Sequence, residues 1–465
     1  MTNSTDPLPA GLQADPVSIR FSGAGSADQK ELGSSPFTPD CNGAAGYRYF
    51  VEFINFVFSI YEKSTGALVN RVSDTRFWQA AGIAQPLNIV DPRIVFIPDA
   101  GRNGQWLAVQ VDLGNRVFIA TTDPHDPYCD PSLGKWKATA FDLRGNDFPM
   151  LGYDQRGVYI SVESSEPPTP PSPPSDKRSP QIVFIPRIYA LDYPPYVGPE
   201  AKVIGPLNYE QYGDSLYPAI SSSRAAWPYQ TLIGIDNISK RHLTFALFSP
   251  ESRAVLSHAR IEVDAFTPIP RGNFVKQPVS DGISKVYWFN QGIVAAPMSD
   301  DYNIWLAHTV VSGGNLAVRW YRLRLDTVTR IPHLAASGEI SKLRFDCFNP
   351  SILSLGKDDW TVVSFSRSGT VGTSRDPNNG DCGNIGAYAA LVREDGSQPL
   401  ICTLKSGQAS DYMNIPSQRW GDYSTICRDP DPKNPRRVWT VNQYVEQGGS
   451  STSQWRNVIA AIDLP

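Results

Sequence analysis

A recurring strand pattern is the feature that most constrains what this chain can fold into. Each copy has a polar or proline start, a short apolar stretch, a turn and a second apolar stretch. The copies start at Asp91, Phe148, Tyr217, Asn349 and Asp422. They lie roughly 55 to 75 residues apart, except for one longer interval with room for a further unit. Such a period of short strands predicts an all-β propeller.

The repeat also predicts how the domain is organised. We expect an extended N-terminal arm over residues 1–45, followed by one β-propeller domain over residues 46–465. Seven four-stranded antiparallel blades are expected, at about 46–80, 88–144, 146–208, 212–265, 281–338, 343–407 and 418–464. The proline-rich segment 164–180 is flanked by strand-like sequence on both sides. We therefore interpret it as a loop inserted in the third blade, because a long loop adds little closure entropy.

Charge and hydropathy exclude several classes of function. The formal net charge is −4 with both signs interspersed, so the basic patch of a nucleic-acid-binding protein is missing. The longest apolar run, 49–61, is too short to span a bilayer and contains Glu52 and Asn55, so membrane insertion is not expected. The N-terminal residues lack a basic region followed by an apolar core. This predicts either an intracellular protein or one whose leader has been removed.

The cysteines leave the redox compartment open. The chain has six, namely Cys41, Cys129, Cys347, Cys382, Cys402 and Cys427. No pair has CxxC spacing, and no group with histidine matches a zinc site. One interpretation is six buried, reduced thiols. The other is that disulfides staple the last blades, where four of the six cysteines lie.

The residues that begin the inner strands are the candidate functional residues. The first strand of each blade lies nearest the propeller axis, so these residues are expected to converge at the mouth of the central channel. The predicted ligand-binding residues are Arg93, Asp147, Asn349, Arg419 and Trp420. If the protein is an enzyme, its catalytic residues are predicted to be Asp91, Asp422 and Tyr423, because carboxyls can do acid–base work on a sugar. The structural alternative is that Asp and Asn cap strand ends and Arg pairs with them.

Other motifs give little chemistry. The sequence has no GxSxG, HExxH or phosphate-binding loop. No cofactor is expected, although the Asp-rich turns 375–383 and 427–435 could hold a structural Ca²⁺ through oxygen ligands. They lack the EF-hand spacing, so solvated turns are the favoured interpretation. His308, in an apolar strand, is interpreted as a buried imidazole.

Several segments, taken in order, resemble those of a known family. They are FVFSIYEKSTGALV, VDPRIVFIP with WLAVQVD, DFPMLGYDQRGVYISV, LAHTVVSGGNLAVRWYRL and QRWGDYSTICRDPDPKNPRRVWTVNQY. Together they resemble exported propeller proteins of a sialidase-like, or BNR-repeat, family. The resemblance implies seven blades and an extracellular or cell-surface location. It does not imply sialidase activity, because the stretch nearest to the Asp box SxDxGxxW, PDAGRNGQW, lacks the serine and the spacing.

Three functions remain open at this point. The first is a monomeric glycan- or protein-binding or adhesion module that acts through the channel mouth. The second is a glycan-active enzyme, either a glycoside hydrolase or a polysaccharide lyase. The third is a rigid scaffold. Facing carboxyls with a raised pKa would favour the enzyme. A sealed mouth would favour the scaffold, and an exposed groove lined by aromatic residues would favour glycan binding.

Overall fold

A computed structural model provides the structure of the chain. It describes residues 15–35, 37–113, 116–142, 146–164, 179–186, 188–190, 193–198, 204–208, 216–221, 229–236, 238–270, 274–278, 286–287, 292–300, 302–356, 360–370, 383–409, 419–447 and 454–465. Most of the expected proline-rich loop, residues 165–178, lies outside the described residues, and so does Cys382.

The first half of the chain consists mostly of strands. These are Val17–Gly25 (β1), Asn42–Ala45 (β2), Tyr49–Ile54 (β3), Val57–Glu62 (β4), Leu68–Val72 (β5), Ile89–Ile97 (β6), Gln105–Asp112 (β7), Arg116–Thr122 (β8), Trp136–Asp142 (β9), Asn146–Tyr153 (β10), Gly157–Ser164 (β11), Ser179–Pro186 (β12), Ile188–Ala190 (β13), Tyr193–Tyr196 (β14), Ile204–Asn208 (β15), Tyr217–Pro218 (β16), Ile220–Ser221 (β17) and Gln230–Asp236 (β18).

The second half continues in the same way. Its strands are His242–Ser249 (β19), Ala254–Glu262 (β20), Phe274–Val275 (β21), Val286–Tyr287 (β22), Met298–Ser299 (β23), Asn303–Ser312 (β24), Asn315–Leu325 (β25), Pro332–Ile340 (β26), Phe345–Ser354 (β27), Thr361–Gly369 (β28), Gly386–Val392 (β29), Leu400–Lys405 (β30), Thr425–Arg428 (β31), Arg437–Glu446 (β32) and Gln454–Asp463 (β33).

Helices are few and short in the described part of the chain. They are Ser26–Glu31 (α1), Asp74–Ala81 (α2) and a 3₁₀ turn at Leu133–Lys135. Helix α2 begins after Ser73, whose side chain accepts a hydrogen bond from the Arg76 amide, and it ends at Gly82 in the left-handed conformation. None of these helices is long and apolar enough to cross a membrane.

The strands form a β-propeller with four-stranded antiparallel blades, as the repeat predicts. Five sheets are separate blades in the described residues. Their strand orders are β2-β3-β4-β5, β6-β7-β8-β9, β16-β18-β19-β20, β27-β28-β29-β30 and β1-β33-β32-β31. A nine-stranded sheet has the order β15-β12-β11-β10-β17-β23-β24-β25-β26, and two hairpins, β13-β14 and β21-β22, complete the strands.

The expectation of seven blades is therefore wrong, because five sheets, not seven, stand as separate four-stranded blades. The strands expected in the third and fifth blades belong instead to the nine-stranded sheet. The cause is β17, which lies between β10 and β23 and pairs in parallel with both, through Tyr153 with Ile220 and Ile220 with Met298. Backbone hydrogen bonds around the axis thus join strands that the sequence pattern assigns to different blades.

The N-terminal segment takes part in the sheets. Strand β1 pairs antiparallel with β33, with Phe21 opposite Ile459, and so adds the outer strand to the blade at the C-terminal end of the chain. Strand β2 is the first strand of the next sheet. Because the two ends of the chain share one sheet, pairing of β1 closes the ring and covers the edge of β33.

The core lies between neighbouring sheets. Aromatic side chains from α2 fill the space between the first two sheets, where Phe77 stacks on Phe58 with ring centroids 4.3 Å apart and meets Trp136 edge-on at 5.1 Å. All three rings are buried. Burial of each such side chain stabilises the fold by roughly 1.5–3 kcal/mol.

The recurring proline start has a structural cause. Asp91, Phe148 and Asn349 each adopt a left-handed backbone with φ of 59°, 51° and 56°, and each is followed by proline. The pairing register shifts at each of these places, which marks a β-bulge. Proline is tolerated at a bulge, because no ladder hydrogen bond is lost there. The sequence repeat thus records a bulge at the start of three inner strands.

Candidate functional site

The starts of the inner strands bring together residues that are distant in sequence. We call six of them the axial cluster: Asp40, Asp91, Arg93, Arg419, Asp422 and Tyr423. All except Arg419 are buried, and Arg419 is half-buried. They come from the approaches to β2, β6 and β31, so the fold and not local sequence places them side by side.

Asp40 links the cluster to three sheets. One of its carboxyl oxygens accepts a hydrogen bond from the Asp422 amide at 2.7 Å, and the other accepts from Asn55 Nδ2 at 2.6 Å. Its carboxyl is also hydrogen-bonded to that of Asp91. Asn55 in turn accepts from the Asp91 amide at 2.8 Å. These bonds hold the bulged inner strands in register with one another.

Arg93 occupies the aromatic side of the cluster. Its guanidinium carbon lies 3.5 Å from the centroid of the Tyr423 ring and 5.8 Å from that of Phe148. Its Nε donates to the Pro149 carbonyl at 2.7 Å. A desolvated cation on an aromatic face contributes about 2 kcal/mol, so this stacking fixes the tyrosine ring.

Burial changes the acidity of the cluster. Burial, opposed by Arg419 and assisted by Asp91, raises the pKa of Asp422 to about 7. Burial and the neighbouring Asp422 raise the pKa of Asp40 to about 6. Burial and the charge of Asp40 raise the pKa of Asp91 well above its usual range. The cluster therefore holds protons near neutral pH and can donate or accept them there.

The predicted residues fall into two groups. Asp91, Arg93, Arg419, Asp422 and Tyr423 do converge, with Arg419 Nη2 donating to Asp422 Oδ2. Whether any of them binds a ligand or acts in catalysis stays a prediction.

Three further predicted residues lie at the edge of this group. Asp147 is half-buried, and its carboxylate accepts from the Phe148 amide at 3.0 Å. Asn349 reaches the last sheet, where its Nδ2 donates to the Gly421 carbonyl at 3.2 Å. Trp420 is fully buried and donates to Ser366 Oγ at 3.3 Å, so its ring offers no exposed face for stacking on a sugar.

Two residues of the site were missed at the sequence level, Asp40 and Asn55. Asp40 also has a left-handed backbone, with φ of 47°, and stands two residues before an inner strand. It therefore resembles the aspartate and asparagine starts of the other inner strands. The signal was weak because β2 reads NGAA, which is not an apolar stretch, and because the residue fell within the expected arm.

Several buried polar atoms near the cluster have no hydrogen-bond partner. They are Asn349 Oδ1, Asp422 Oδ1, Tyr423 OH, Asn442 Nδ2 and Gln443 Nε2. Gln443 belongs to this neighbourhood because its Oε1 accepts from the Gly421 amide at 3.2 Å. Buried polar groups are nearly always paired, so these five atoms are available to water or to a bound ligand. The five include both donors and acceptors.

The channel beside the cluster is narrow. A cavity of about 40 Å³ on the axis is lined by Asn42, Arg93, Met150, Met298, Ser351 and Thr425, among others. A single water needs roughly 10–15 Å³ of such space. The cavity therefore holds water-sized species, and a sugar ring does not fit in this part of the channel.

The metal and disulfide expectations can be compared with the described residues. Within those ranges, no three His, Cys, Asp or Glu side chains are placed to share a metal ion. In the turn 427–435, both carboxylate oxygens of Asp429 are already bonded, one to Lys63 and one to Trp439. The turn 375–383 lies almost wholly outside the described residues. The disulfide expectation is wrong for the five described cysteines, which are all free thiols.

His308 is buried in β24. Its Nε2 lies 3.1 Å from the hydroxyl of Tyr321, and its ring meets Phe266 edge-on with centroids 5.0 Å apart. Burial and the charge of Arg319 lower the pKa of His308 to about 3. The imidazole is therefore neutral at physiological pH.

Fold and site together define a β-propeller with a buried acidic cluster on its axis. A comparison with protein-family models and with curated protein sequences finds no match. Among solved structures, the chain is similar to extracellular domains 1–2 of Drosophila Semaphorin 1b, with 7% identity and a TM-score of 0.41 over 97% of this chain and 87% of that one. It is also similar to the WD40 domain of SCAP from fission yeast, with 9% identity and a TM-score of 0.35 over 89% and 82%.

These comparisons correct the family expectation. No sialidase-like or BNR-repeat family model matches the sequence, and five sheets rather than the expected seven stand as separate blades in the described residues. The sialidase-like interpretation is therefore wrong. The short segments on which it was based are what any chain of bulged inner strands and tight turns would show.

Proposed function

We propose that this protein is a glycan-binding module and that the glycan is bound at the mouth of the propeller beside the axial cluster, outside the narrow cavity. A β-propeller fold is compatible with a binding module, since its inner strands gather side chains from many parts of the chain. The observation that carries the proposal is the set of five buried polar atoms without a partner. The expected monomeric state and extracellular location remain predictions.

The chemistry of these atoms favours a polyhydroxylated ligand. Asn442 Nδ2 and Gln443 Nε2 can only donate, the oxygens of Asn349 and Asp422 accept, and the Tyr423 hydroxyl does both. A sugar hydroxyl also donates and accepts, so it can pair with atoms of either kind. An unpaired buried polar group costs about 1–3 kcal/mol, and pairing it on binding recovers that energy.

A second candidate, a glycan-active enzyme, is favoured by one observation. The carboxyls of Asp40 and Asp422 have pKa values of about 6 and about 7, which suits groups that exchange protons at neutral pH. Glycoside hydrolases use two carboxyls placed about 5–9.5 Å apart. Asp40 and Asp91 are hydrogen-bonded to each other, so Asp422 would supply the second carboxyl.

Tyr423→Phe is the sharpest test of glycan binding. The variant removes only a hydroxyl that has no protein partner, so the fold is retained. We expect wild type to bind at least one glycan on an array and Tyr423→Phe to bind it about tenfold more weakly, as for one lost hydrogen bond of about 1.4 kcal/mol. The matched control is Tyr61→Phe, whose hydroxyl bonds to Glu52 away from the axial cluster and whose loss leaves affinity unchanged.

Two results would contradict the proposal. The first is that wild type binds no glycan, and the second is that Tyr423→Phe binds as tightly as wild type. Product analysis on each bound glycan separates the enzyme from the binding module. Turnover that is lost in Asp422→Asn while binding persists would establish the enzyme, and binding without product would leave the binding module.

A further inference from the structure

Of the described residues in the wall of the axial cavity, one is charged. The lining comes from the inner strands β2, β6, β10, β17, β23, β27 and β31 and from the segment before β23, and the other described residues are neutral. The charged residue is Arg93, which is 4% exposed. A guanidinium stays protonated in a protein, so a positive charge permanently faces this space of about 40 Å³.

The contacts of Arg93 are all with neutral groups. Nε donates to the Pro149 carbonyl and Nη2 to the Met150 sulfur, at 2.7 and 2.9 Å, while Tyr423 and Phe148 present their ring faces. Two of the five N–H groups are thus occupied. Among the described residues no carboxylate forms an ion pair with Arg93, although buried charges are normally paired.

The charge of Arg93 opposes the rise of the Asp91 pKa that burial causes, but Asp91 forms no ion pair with Arg93. Asp91 is bonded to the Asp40 carboxyl and to the Phe148 amide, and it makes no hydrogen bond to Arg93. On the cavity wall, the Ser351 and Ser424 hydroxyls lie 3.1 Å apart, and the single Ser424 hydrogen is given to the Asn349 carbonyl at 2.8 Å, so the Ser351 hydrogen is used in the serine pair. The unpaired N–H groups of Arg93 therefore supply the charge and the donors that suit an anion.

We propose that the axial cavity binds a small inorganic anion of about the size of chloride, with the Arg93 guanidinium as its ligand. The cavity has room for such an ion and one or two waters, but not for a carboxylate with a side chain or a phosphate ester. The ion neutralises the buried charge where the inner strands meet. The anion site shares Arg93 with the axial cluster, but anion binding does not require that a glycan is bound.

A bromide derivative tests the proposal directly. Crystals of the wild-type protein grown or soaked in sodium bromide should show an anomalous peak in the axial cavity, within hydrogen-bonding distance of Arg93 Nη1. A cavity that contains only water at high bromide concentration would overturn the proposal.

Chloride-dependent stability tests it in solution. At constant ionic strength, with gluconate replacing chloride, the Tm of wild type should rise by about 2 °C for each tenfold increase of chloride above its Kd. Arg93→Met should lose this response. Arg322→Met is the matched control, because Arg322 is also buried but paired with Glu394, and it should keep the response. Equal responses in all three proteins would refute the proposal. If Arg93→Met does not fold, the bromide experiment on wild type still decides.

Discussion

The free energy of unfolding of wild type should decrease as the pH rises. Replacing Asp422 by asparagine should make this decrease smaller. In the native state the Asp422 pKa is raised from its ordinary value of 3.8 to about 7, mainly by burial. The folded protein therefore binds a proton that the unfolded chain has lost between these two values. Stability is highest below about pH 4 and falls until the pH passes about 7.

The size of the effect follows from the shift. A change of roughly three pKa units corresponds to about 4 kcal/mol, of which about 3 kcal/mol falls between pH 5 and pH 8. Asparagine carries no charge at any pH, so the free energy of unfolding of Asp422→Asn lacks this part of the pH dependence. It also removes a neighbouring charge that raises the Asp40 pKa, so the slope from Asp40 becomes smaller too.

Equilibrium urea unfolding followed by tryptophan fluorescence at pH 5, 6, 7 and 8 provides the assay. The control is Glu251→Gln, which removes one carboxyl from an exposed turn between β19 and β20 and should leave the wild-type slope unchanged. If wild type and Asp422→Asn lose stability in parallel over this range, Asp422 does not hold a proton in the folded protein. The account of the axial cluster given above would then be wrong.

Three further substitutions test the packing around the axis by urea unfolding. Lys63→Met should destabilise the protein by about 3–5 kcal/mol, because it leaves the buried Asp429 carboxylate without its ion-pair partner. The double variant Lys63→Met, Asp429→Asn should recover part of this loss. Tyr423→Phe should leave stability unchanged or raise it by up to about 1 kcal/mol, since its hydroxyl has no partner, and a large loss would show that a partner exists. Gly152→Ala should cost about 1–3 kcal/mol, because the new methyl would lie 2.6 Å from the Pro218 carbonyl oxygen, and a neutral result would show that the inner strands can move apart.

The sequence was a good guide to local structure. Turns and short apolar stretches encode strands through side-chain periodicity, and the strands form where the repeat places them. The Asp91-Pro92 and Asn349-Pro350 starts were correctly placed on inner strands, because proline leaves few other positions in a sheet. The convergence of Asp91, Arg93 and Asp422 followed from the geometry of a propeller.

Blade number and bonding inside the cluster could not be predicted in the same way. The pairing of β17 with β10 and β23 depends on backbone distances around the axis, which no local pattern records. Asp40 was not predicted because its role comes from contacts with Asn55 and Asp422. Asn55 lies in the N-terminal part of the chain and Asp422 in the C-terminal part. Trp420 looked like a binding residue, and only the packing of the last two sheets shows that it is buried.

By itself, then, the amino-acid sequence determined the strands, the bulged proline starts and the set of residues that a propeller would gather on its axis. Only the tertiary structure decided which backbones pair across blades, which carboxyls share protons and which cation is left without a counter-ion. The physical reason is range: strand and turn preferences act between near neighbours in the chain. Desolvation, charge pairing and cross-sheet hydrogen bonds depend on neighbours far away in the chain, such as Asp422 and Asp40, which are 382 residues apart.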